Sequence, residues 1–276
     1  MNSPIRYFGG KGGMYKKIIE CFPKDIYSSK KTCSDGSLPI YIEAFGGSAS
    51  ILFHKHPSPI EIYNDLESNV YSLFKVLSDK KKFLKFRVKC ENIYYSRRLF
   101  DEFSESLKNE KISELERAFR FFYVNRVAYN GVGGFSNIVN YVRRGMSKPI
   151  SDMLSTIDRL PEIHNRLKTV IIENKDAIEL IRNFDRKEVF FYLDPPYHHS
   201  TRTKARYDID MDDSKQEELI DTLLGLKKSR VLLSGYECQL YNKLTNKKWE
   251  KIDFNVITQT GQRKSKNKTE SLWRNY

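Results

Sequence analysis

Asp194, Pro195, Pro196 and Tyr197 directly follow the apolar run 189–193, which has the composition of a buried strand. Ligands of open α/β sheets bind at the carboxyl ends of the strands, so this position favours a site. The two prolines remove two backbone donors and stiffen the segment, which lets a carbonyl oxygen point outward as an acceptor. A carboxylate, that carbonyl and a flat ring together fit an aromatic amine, whose N–H groups need two acceptors. The structural alternative is an ordinary Pro-Pro turn with a capping aspartate.

A second candidate site is a turn between a predicted strand and a predicted helix. Phe45, Gly46, Gly47 and Ser48 form this turn. Glycines let the backbone approach a ligand closely, and the start of the next helix offers unpaired N–H groups. Asp65 stands eighteen residues after Gly47, at the end of the next predicted strand, where an acid can bind the hydroxyls of a ribose. The alternative is that Asp65 only caps the helix that follows.

Near the start of the chain, residues 6–13 contain four glycines together with Tyr7 and Lys11. A P-loop would need a preceding strand and a Gly-Lys-Ser or Gly-Lys-Thr sequence, and the segment has neither. We therefore do not predict a nucleoside triphosphatase. A glycine-rich lid over a ligand fits the segment better.

The elements that would position these residues alternate between strands and helices. Apolar runs predict strands at 39–45, 60–63, 169–172, 189–193 and 231–234, and helices are predicted at 48–56, 176–183 and 214–228. Strands separated by helices imply βαβ units, so the predicted fold class is α/β with a mostly parallel sheet.

The middle of the chain follows a different pattern. From about residue 68 to residue 126 it is charged, aromatic and helical in its spacing, with no convincing strand. Glycines at 131, 133 and 134 break this pattern, and the region 125–148 is predicted to form a loop or hairpin. We therefore predict one α/β domain made of residues 1–67 and 165–276, interrupted by a helical insertion at 68–164.

The charge distribution indicates a polyanionic partner. The 276 residues carry a formal net charge of +13, and residues 80–98 hold eight basic side chains against one acid. Residues 243–276 hold nine basic side chains against three acids. Basic clusters next to aromatic residues suit phosphate binding, which is driven by counterion release. A merely solvated basic surface is the alternative for either cluster.

Composition excludes several other classes of protein. An aromatic content of 13% is too high for a disordered basic tail. No apolar run approaches the ~18 residues of a membrane helix, and the first residues do not resemble a signal peptide, so we expect a soluble cytoplasmic protein. Cys21, Cys33, Cys90 and Cys238 form no CxxC pair, and we expect no metal site.

The order of the motifs resembles a known family. Tyr-Phe-Gly-Gly-Lys, Glu-Ala-Phe-Gly-Gly-Ser-Ala, Asn-Asp-Leu and Asp-Pro-Pro-Tyr follow one another, with Phe-Phe-Tyr-Val-Asn-Arg-Val-Ala-Tyr-Asn-Gly at 121–131. This combination is similar to the Dam-type, or D12 class, DNA adenine-N6 methyltransferases, including phage and restriction-modification members. The resemblance runs from Tyr7 to the Glu-Ser-Leu-Trp-Arg-Asn sequence at 270–275. Ala49 replaces a glycine of the family pattern, and residues 143–149 differ from the GATC-specific members, which leaves the target sequence open.

The resemblance implies a Rossmann-like methyltransferase domain that uses S-adenosylmethionine and carries a target-recognition insertion. It places catalysis at Asp194, Pro195, Pro196 and Tyr197. The matching cofactor positions are Tyr7, Lys11, Phe45, Gly46, Gly47, Ser48, Asp65, Asp176 and Asp194. It implies double-stranded DNA as the substrate at the nucleoid, with no role for a membrane or a metal, and it admits a cognate restriction endonuclease as a partner.

The segment from the helical insertion to the hairpin is the candidate DNA-contacting region. Asparagine suits adenine edges, arginine suits guanine or phosphate, and tyrosine can pack against a displaced base. The candidate residues are Asn125, Arg126, Tyr129, Asn130, Asn137, Arg143 and Arg144. The alternative is a structural hairpin whose arginines contact only phosphate.

The predicted reaction begins with flipping of the adenine out of the duplex, because its amino group is otherwise buried. Asp194 and the Pro195 carbonyl would accept the two N–H bonds and free the nitrogen lone pair for attack on a methyl group. The same amine chemistry would serve a cytosine-N4 or an RNA adenine methyltransferase, and a catalytically idle DNA-binding subunit is a third reading. No cysteine follows a proline, which argues against cytosine-C5 methylation.

Overall fold

The computed structural model describes residues 1–7, 9–27, 38–108, 111–137, 141–198, 211–259 and 265–276, with the backbone alone at 255–259 and 265–268. Phe8 of the lid segment and Cys33 lie outside these residues. The chain divides into two compact units. The first contains Met1–Lys17, Gly47–Lys55 and Asp65–Asn174, and the second contains Ile18–Gly46, His56–Asn64 and Lys175–Tyr276. The predicted helical insertion lies within the first unit.

The described strands are β1 (Ile40–Glu43), β2 (Ile60–Asn64), β3 (Val142–Arg143), β4 (Met146–Ser147), β5 (Ile171–Glu173), β6 (Val189–Leu193), β7 (Arg230–Gly235), β8 (Glu250–Gln259) and β9 (Ser265–Arg274). The described α-helices are α1 (Tyr15–Glu20), α2 (Ser50–His54), α3 (Ser68–Ser78), α4 (Lys80–Glu91), α5 (Arg97–Ser106), α6 (Glu114–Val127), α7 (Lys148–Asp158), α8 (Leu160–Leu167), α9 (Ala177–Asn183), α10 (Asp213–Gly225) and α11 (Asn242–Asn246).

Six strands of the seven-stranded main sheet belong to the second unit, in the order β2-β1-β6-β7-β9-β8. β1 is parallel to β2 and β6, and β6 is parallel to β7, whereas β9 is antiparallel to β7 and β8. Glu43 lies opposite both Tyr63 and Tyr192, so β1, β2 and β6 reach the same edge of the sheet together. The prediction of an α/β fold with a mostly parallel sheet is confirmed.

Both faces of this sheet are covered, which explains the continuous apolar runs of its strands. On one face, Ile42, Phe191 and Leu233 pack in a buried cluster with Ile178 of α9 and Leu219 of α10. On the other face the strands carry aromatic side chains, because successive residues of a strand point to opposite sides. There the ring of Phe190 lies 4.8 Å from the ring of Phe22 and 5.8 Å from the ring of Tyr276.

The first unit is mainly helical, as predicted for residues 68–126. The carboxylate of Glu67 accepts hydrogen bonds from the first amides of α3, and Ser113 caps the start of α6. The rings of Phe86 and Phe122 lie 5.5 Å apart and join α4 to α6. The ring of Phe83 stacks on His164 of α8 at 4.4 Å. The unit therefore has its own apolar core.

The structure differs from the predicted elements in several places. The helix predicted at 48–56 begins only at Ser50, because Ala49 takes a left-handed φ of 54° and extends the turn. The strand predicted at 169–172 is Ile171–Glu173, because α8 and the turn that ends it continue to Val170. The strands β8 and β9 were not predicted.

Gly46 provides a test of how tightly the turn after β1 is packed. A Cβ atom at this position would lie 2.1 Å from Cε2 of Tyr63, so either the backbone of the turn or the Tyr63 ring would have to move. We expect Gly46→Ala to lower the free energy of unfolding by about 1–3 kcal/mol, measured by urea denaturation. Gly225→Ala is the matched control, since a Cβ there meets no atom within 4 Å, and it should keep stability or raise it slightly, because alanine favours the helix more than glycine does. Equal stability of the two variants would contradict this packing.

Candidate functional site

The Asp-Pro-Pro-Tyr segment leaves the buried end of β6 and is held by a neighbouring helix. The Pro196 carbonyl accepts a hydrogen bond of 2.5 Å from Nε2 of Gln216, which is fully buried on α10. Oε1 of Gln216 in turn accepts from the Tyr241 hydroxyl at 3.2 Å. No residue that the structure describes donates to the Pro195 carbonyl. The Pro196 carbonyl is thus held by Gln216, whereas the Pro195 carbonyl can still accept a hydrogen bond from a ligand.

Tyr197 is fixed from two sides. Its hydroxyl donates to Oε1 of Glu270, which also accepts from Oγ of Ser234 at 3.0 Å. Its ring meets the ring of Tyr236 edge-on, with 4.6 Å between centroids. Burial and the charges of Asp194 and Glu270 raise the pKa of Tyr197 well above its ordinary value, so the hydroxyl stays protonated and remains a donor. The ring therefore has a defined orientation.

The turn after β1 depends on close backbone contacts within the second unit. The Gly46 amide donates to the Asn64 carbonyl at 2.8 Å, and the side-chain amide of Asn64 donates to the Ala44 carbonyl at 2.9 Å. Phe45 is partly buried and packs against the main apolar cluster. A side chain at residue 46 would collide with Tyr63, so this position of the turn requires glycine.

Asp65 lies in the first unit and is buried, with 8% of its surface exposed. Its Oδ2 accepts from the Gly47 amide at 2.6 Å, and its Oδ1 accepts from the Glu67 amide at 2.9 Å. Burial raises the pKa of Asp65 to about 6, although the two amide hydrogen bonds act in the opposite direction. The N-cap of α3 is Glu67. The alternative in which Asp65 merely caps this helix is therefore wrong.

The glycine-rich segment near the start of the chain packs against the turn that contains Gly47. A Cβ on Gly47, whose φ is +48°, would lie 3.1 Å from the Tyr7 ring. A Cβ on Gly10 would lie 3.3 Å from Oγ of the buried Ser48. Lys11 is also buried, and its ammonium donates to the Gly9 carbonyl at 3.1 Å. The structure thus brings together the candidate cofactor residues Tyr7, Gly47, Ser48 and Asp65 of this unit.

Asp176 has an observed structural contact. It is the N-cap of α9, where its Oδ1 accepts from the amides of Ile178 and Glu179 at 2.9 and 3.1 Å. Oδ2 lies 4.0 Å from Nζ of Lys215. Helix capping by itself accounts for an acid at this position.

Asn125 and Arg126, two of the candidate DNA-contacting residues, are buried. The Asn125 amide accepts from the Arg6 backbone amide at 2.8 Å and donates to the carbonyls of Arg6 at 2.7 Å and Gly131 at 3.2 Å. Arg126 donates to the Asp152 carbonyl at 3.1 Å, and burial together with the charge of Arg6 lowers its pKa to about 9. These contacts join the start of the chain and α7 to the end of α6, and both side chains are buried.

Within the region 125–148, for which the sequence predicts a loop or hairpin, β3 and β4 form an antiparallel pair. Arg144 and Gly145 connect the strands with positive φ angles of 55° and 73°, as a two-residue hairpin turn requires. Arg144 donates to Oγ of Ser155 at 3.1 Å, and Arg143 donates to Oδ1 of Asp152 at 2.9 Å. Both arginines remain exposed.

The other three candidate DNA-contacting residues are also exposed. Tyr129 retains 53% of its surface, and Asn130 adopts a left-handed φ of 55° in the turn after α6. Asn137 is exposed as well. Their side chains are therefore accessible to a large ligand.

A cavity of about 650 Å³ lies within the first unit and links several of these groups. Its wall includes Tyr7, Gly10 and Ser48 of the candidate cofactor region and Arg143 and Arg144 of the hairpin. Candidate cofactor and candidate DNA residues thus border one space.

Ion pairs with neighbouring acids partly neutralise the basic cluster at 80–98. Lys82 pairs with Glu114, Lys89 pairs with Glu116 at 2.6 Å, and Arg87 pairs with Glu91 at 2.6 Å. Lys80, Lys81 and Lys85 form no ion pair with the residues that the structure describes, so they are the cations of α4 that remain for a polyanion. Within the described ranges there is no helix long and apolar enough to cross a membrane, and no group of three His, Cys, Asp or Glu residues suited to a metal.

Sequence reasoning missed the supporting residues of the site. Glu270, Gln216, Asn64 and Asp152 contact candidate site residues or the loops that carry them. The sequence does contain a signal for Glu270, which is the single acid in the mostly basic and polar region 263–274. It contains none for Gln216, because one glutamine in a charged helix does not stand out.

The chain is similar to known methyltransferases over most of its length. The Type II methyltransferase M.MjaIII of Methanocaldococcus jannaschii is 25% identical to the chain over 268 residues, which cover 87% of this chain and 86% of that protein. The family model of the D12 class N6 adenine-specific DNA methyltransferases matches residues 7–264. The resemblance inferred from the motifs is confirmed, and the chain belongs to the D12 class N6 adenine-specific DNA methyltransferase family.

Proposed function

We propose that the enzyme transfers the methyl group of S-adenosylmethionine to the N6 amino group of an adenine in a specific double-stranded DNA sequence, after flipping the base out of the helix. The observation that supports this proposal is the position of Asp194 and Pro195 directly after β6, at the carboxyl end of a buried strand. The Asp194 carboxylate and the Pro195 carbonyl would supply two acceptors for the two N–H bonds of an exocyclic amine.

The two acceptors would draw the amino nitrogen toward tetrahedral geometry and free its lone pair. When bound, the cofactor would supply an electrophilic methyl group on a sulfonium for transfer to this nitrogen. The nitrogen would then release one proton, with the Asp194 carboxylate as the nearest proposed acceptor. Tyr197, held by Glu270 and Tyr236, would stack on the flipped base. Acceptors positioned before the charge develops would lower the barrier, as at other sites of this kind.

Asp65 and Gly47 fit the expected cofactor. Each carboxylate oxygen of Asp65 accepts one backbone amide and retains capacity for one further donor, as two ribose hydroxyls would need. The absence of a side chain at Gly47 lets the Tyr7 ring pack against the turn, since a Cβ at Gly47 would lie 3.1 Å from that ring. Within the first unit we propose that Tyr7, Lys11, Gly47, Ser48 and Asp65 contact the cofactor. Within the second unit, the cofactor residues proposed from the sequence are Phe45, Gly46, Asp176 and Asp194.

For DNA we retain the exposed residues of the proposed set, namely Tyr129, Asn130, Asn137, Arg143 and Arg144. Asn125 and Arg126 are assigned instead to holding the start of the chain and α7. We keep residues 1–67 and 165–276 as the proposed catalytic domain and 68–164 as the proposed target-recognition domain. Such a protein would act on DNA at the nucleoid, and a restriction endonuclease with the same target would be its functional partner.

The first prediction tests the acceptor pair. Asp194→Ala removes one acceptor from the amine, and we expect the rate of tritiated methyl transfer to DNA to fall on the order of a hundredfold or more. Glu217→Ala, which removes an exposed carboxylate of α10 in the same unit, is the control and should retain full activity. Near-normal turnover of a folded Asp194→Ala protein would contradict the assignment.

The second prediction concerns Asp65. Asp65→Ala should weaken S-adenosylmethionine binding by about 1.5–3 kcal/mol, because a charged hydrogen-bond acceptor is lost, and should change DNA affinity less. Titration calorimetry measures both affinities. Asp101→Ala, which removes an exposed carboxylate from α5, should leave cofactor affinity unchanged.

The raised pKa adds a dependence on pH. The Asp65 carboxyl of the free enzyme is ionised above about pH 6 and protonated below it, and the ionised form is the better acceptor for hydroxyls. Cofactor affinity should therefore be full above this pH and fall as pH drops through it. Asp65→Asn should remove this step, and a step that persists in that variant would assign the titration to another group.

The third prediction concerns the polyanion. With about six phosphate contacts, affinity for duplex DNA should fall roughly a thousandfold between 50 and 200 mM salt. Fluorescence anisotropy over this range gives the slope. Arg144→Gln should reduce the slope of log affinity against log salt concentration by the amount of about one phosphate contact. Lys108, which pairs with Glu105, is not among the proposed DNA-contacting residues, so Lys108→Gln should leave the slope unchanged. A flat salt dependence would speak against DNA as the substrate.

A further inference from the structure

Asp152 of α7 joins three separate segments of the first unit. Its Oδ2 accepts from Nη2 of Arg6 at 3.0 Å and from Nζ of Lys148 at 2.7 Å, and its Oδ1 accepts from Nη1 of Arg143 at 2.9 Å. Its side chain is only 11% exposed. One carboxylate therefore ties the start of the chain, the hairpin and α7 to each other.

The surroundings of Asp152 keep it charged. Burial opposes ionisation, but hydrogen bonds and charges from Lys148, Arg6 and Arg143 outweigh it and hold the pKa of Asp152 below its ordinary value. Arg126 also donates to the Asp152 carbonyl. The ion pairs are therefore complete at neutral pH.

Among the residues that the structure describes, Arg143 donates to Asp152 alone. Its Nη1 binds Asp152, while its side chain remains 51% exposed. A guanidinium carries five N–H donors in a rigid fork, so fixing one nitrogen fixes the direction of the others. An exposed arginine without such a partner would sample many rotamers and lose that freedom only on binding.

We propose that Asp152 is a positioning residue for target specificity, which aims the Arg143 fork of the β3–β4 hairpin at the DNA. This inference rests on the proposed function, in which the hairpin contacts the duplex. Asp152 acts through Arg143 and takes no part in methyl transfer.

The proposal predicts a change in sequence discrimination, which the loss of one negative charge would not cause by itself. Removing a negative charge next to bound DNA should strengthen binding to every sequence alike. If Asp152 aims Arg143, its loss instead reduces discrimination between the target and other sequences. Asp158 provides the matched control, since it belongs to the same helix and borders the same cavity but is exposed and forms no ion pair with the described residues.

The experiment first maps N6-methyladenine across the genome of a host that expresses the full-length enzyme, which defines the methylated sequence. Dissociation constants are then measured at one salt concentration for a duplex with that sequence and for duplexes with single base-pair changes. We expect Asp152→Asn to lower the ratio of the two affinities about tenfold at one position, in the range of one lost base contact. Asp158→Asn should keep the ratio.

Two further variants test the route through Arg143. Arg143→Ala, at an exposed position, should lose the same discrimination, and adding Asp152→Asn to it should cause no further loss. Asp152→Glu, which retains the charge, should restore part of the discrimination. If Asp152→Asn discriminates as the unchanged enzyme does, or loses a further tenfold in the Arg143→Ala background, the proposal is wrong. If the unchanged enzyme makes no N6-methyladenine, the proposed function itself fails.

Discussion

Asn64 is fully buried at the end of β2, and its hydrogen bonds determine the course of two loops. Its Nδ2 donates to the carbonyls of Ala44 and Lys175 at 2.9 and 3.0 Å, and its Oδ1 accepts from the Lys175 amide at 2.8 Å. The backbone carbonyl of Asn64 accepts from Gly46. A buried amide that is satisfied in this way tolerates little movement of its partners. One side chain thus fixes the turn after β1, the segment that leads to Asp176 and the point from which the chain continues to Asp65.

Burying an acid lowers the stability of a folded domain, yet this protein buries both Asp65 and Glu270. The folded-state pKa of Asp65 lies above the ordinary value, so its contribution to stability is lost as the pH rises through about 6. Glu270 is 4% exposed and accepts from both Tyr197 and Ser234. Buried acids of this kind concentrate at functional sites, where a ligand or a positioned ring offsets the cost of burial. The two acids therefore have a common physical explanation in the proposed reaction.

The strands that carry the site were predictable, because β6 and β7 are buried on both faces and read as continuous apolar runs. The hairpin was predictable from its glycine and from the polar residues around it. The strand β9 was not, since most of residues 265–270 are polar or basic and give no apolar signal. The inward role of Asn125 was also hidden, because only the fold reveals that the Arg6 backbone lies against it. Residue types thus identified the chemistry, while the contacts between distant segments could be seen only in three dimensions.

The identity of the methylated product tests the central claim most directly. The purified enzyme is incubated with methyl-tritiated S-adenosylmethionine and either duplex DNA of mixed sequence or RNA of the same sequence, and the products are digested to nucleosides and separated. The account predicts that the label appears in N6-methyldeoxyadenosine from the DNA. Label in N4-methyldeoxycytidine, or transfer to the RNA and not to the DNA, would contradict it.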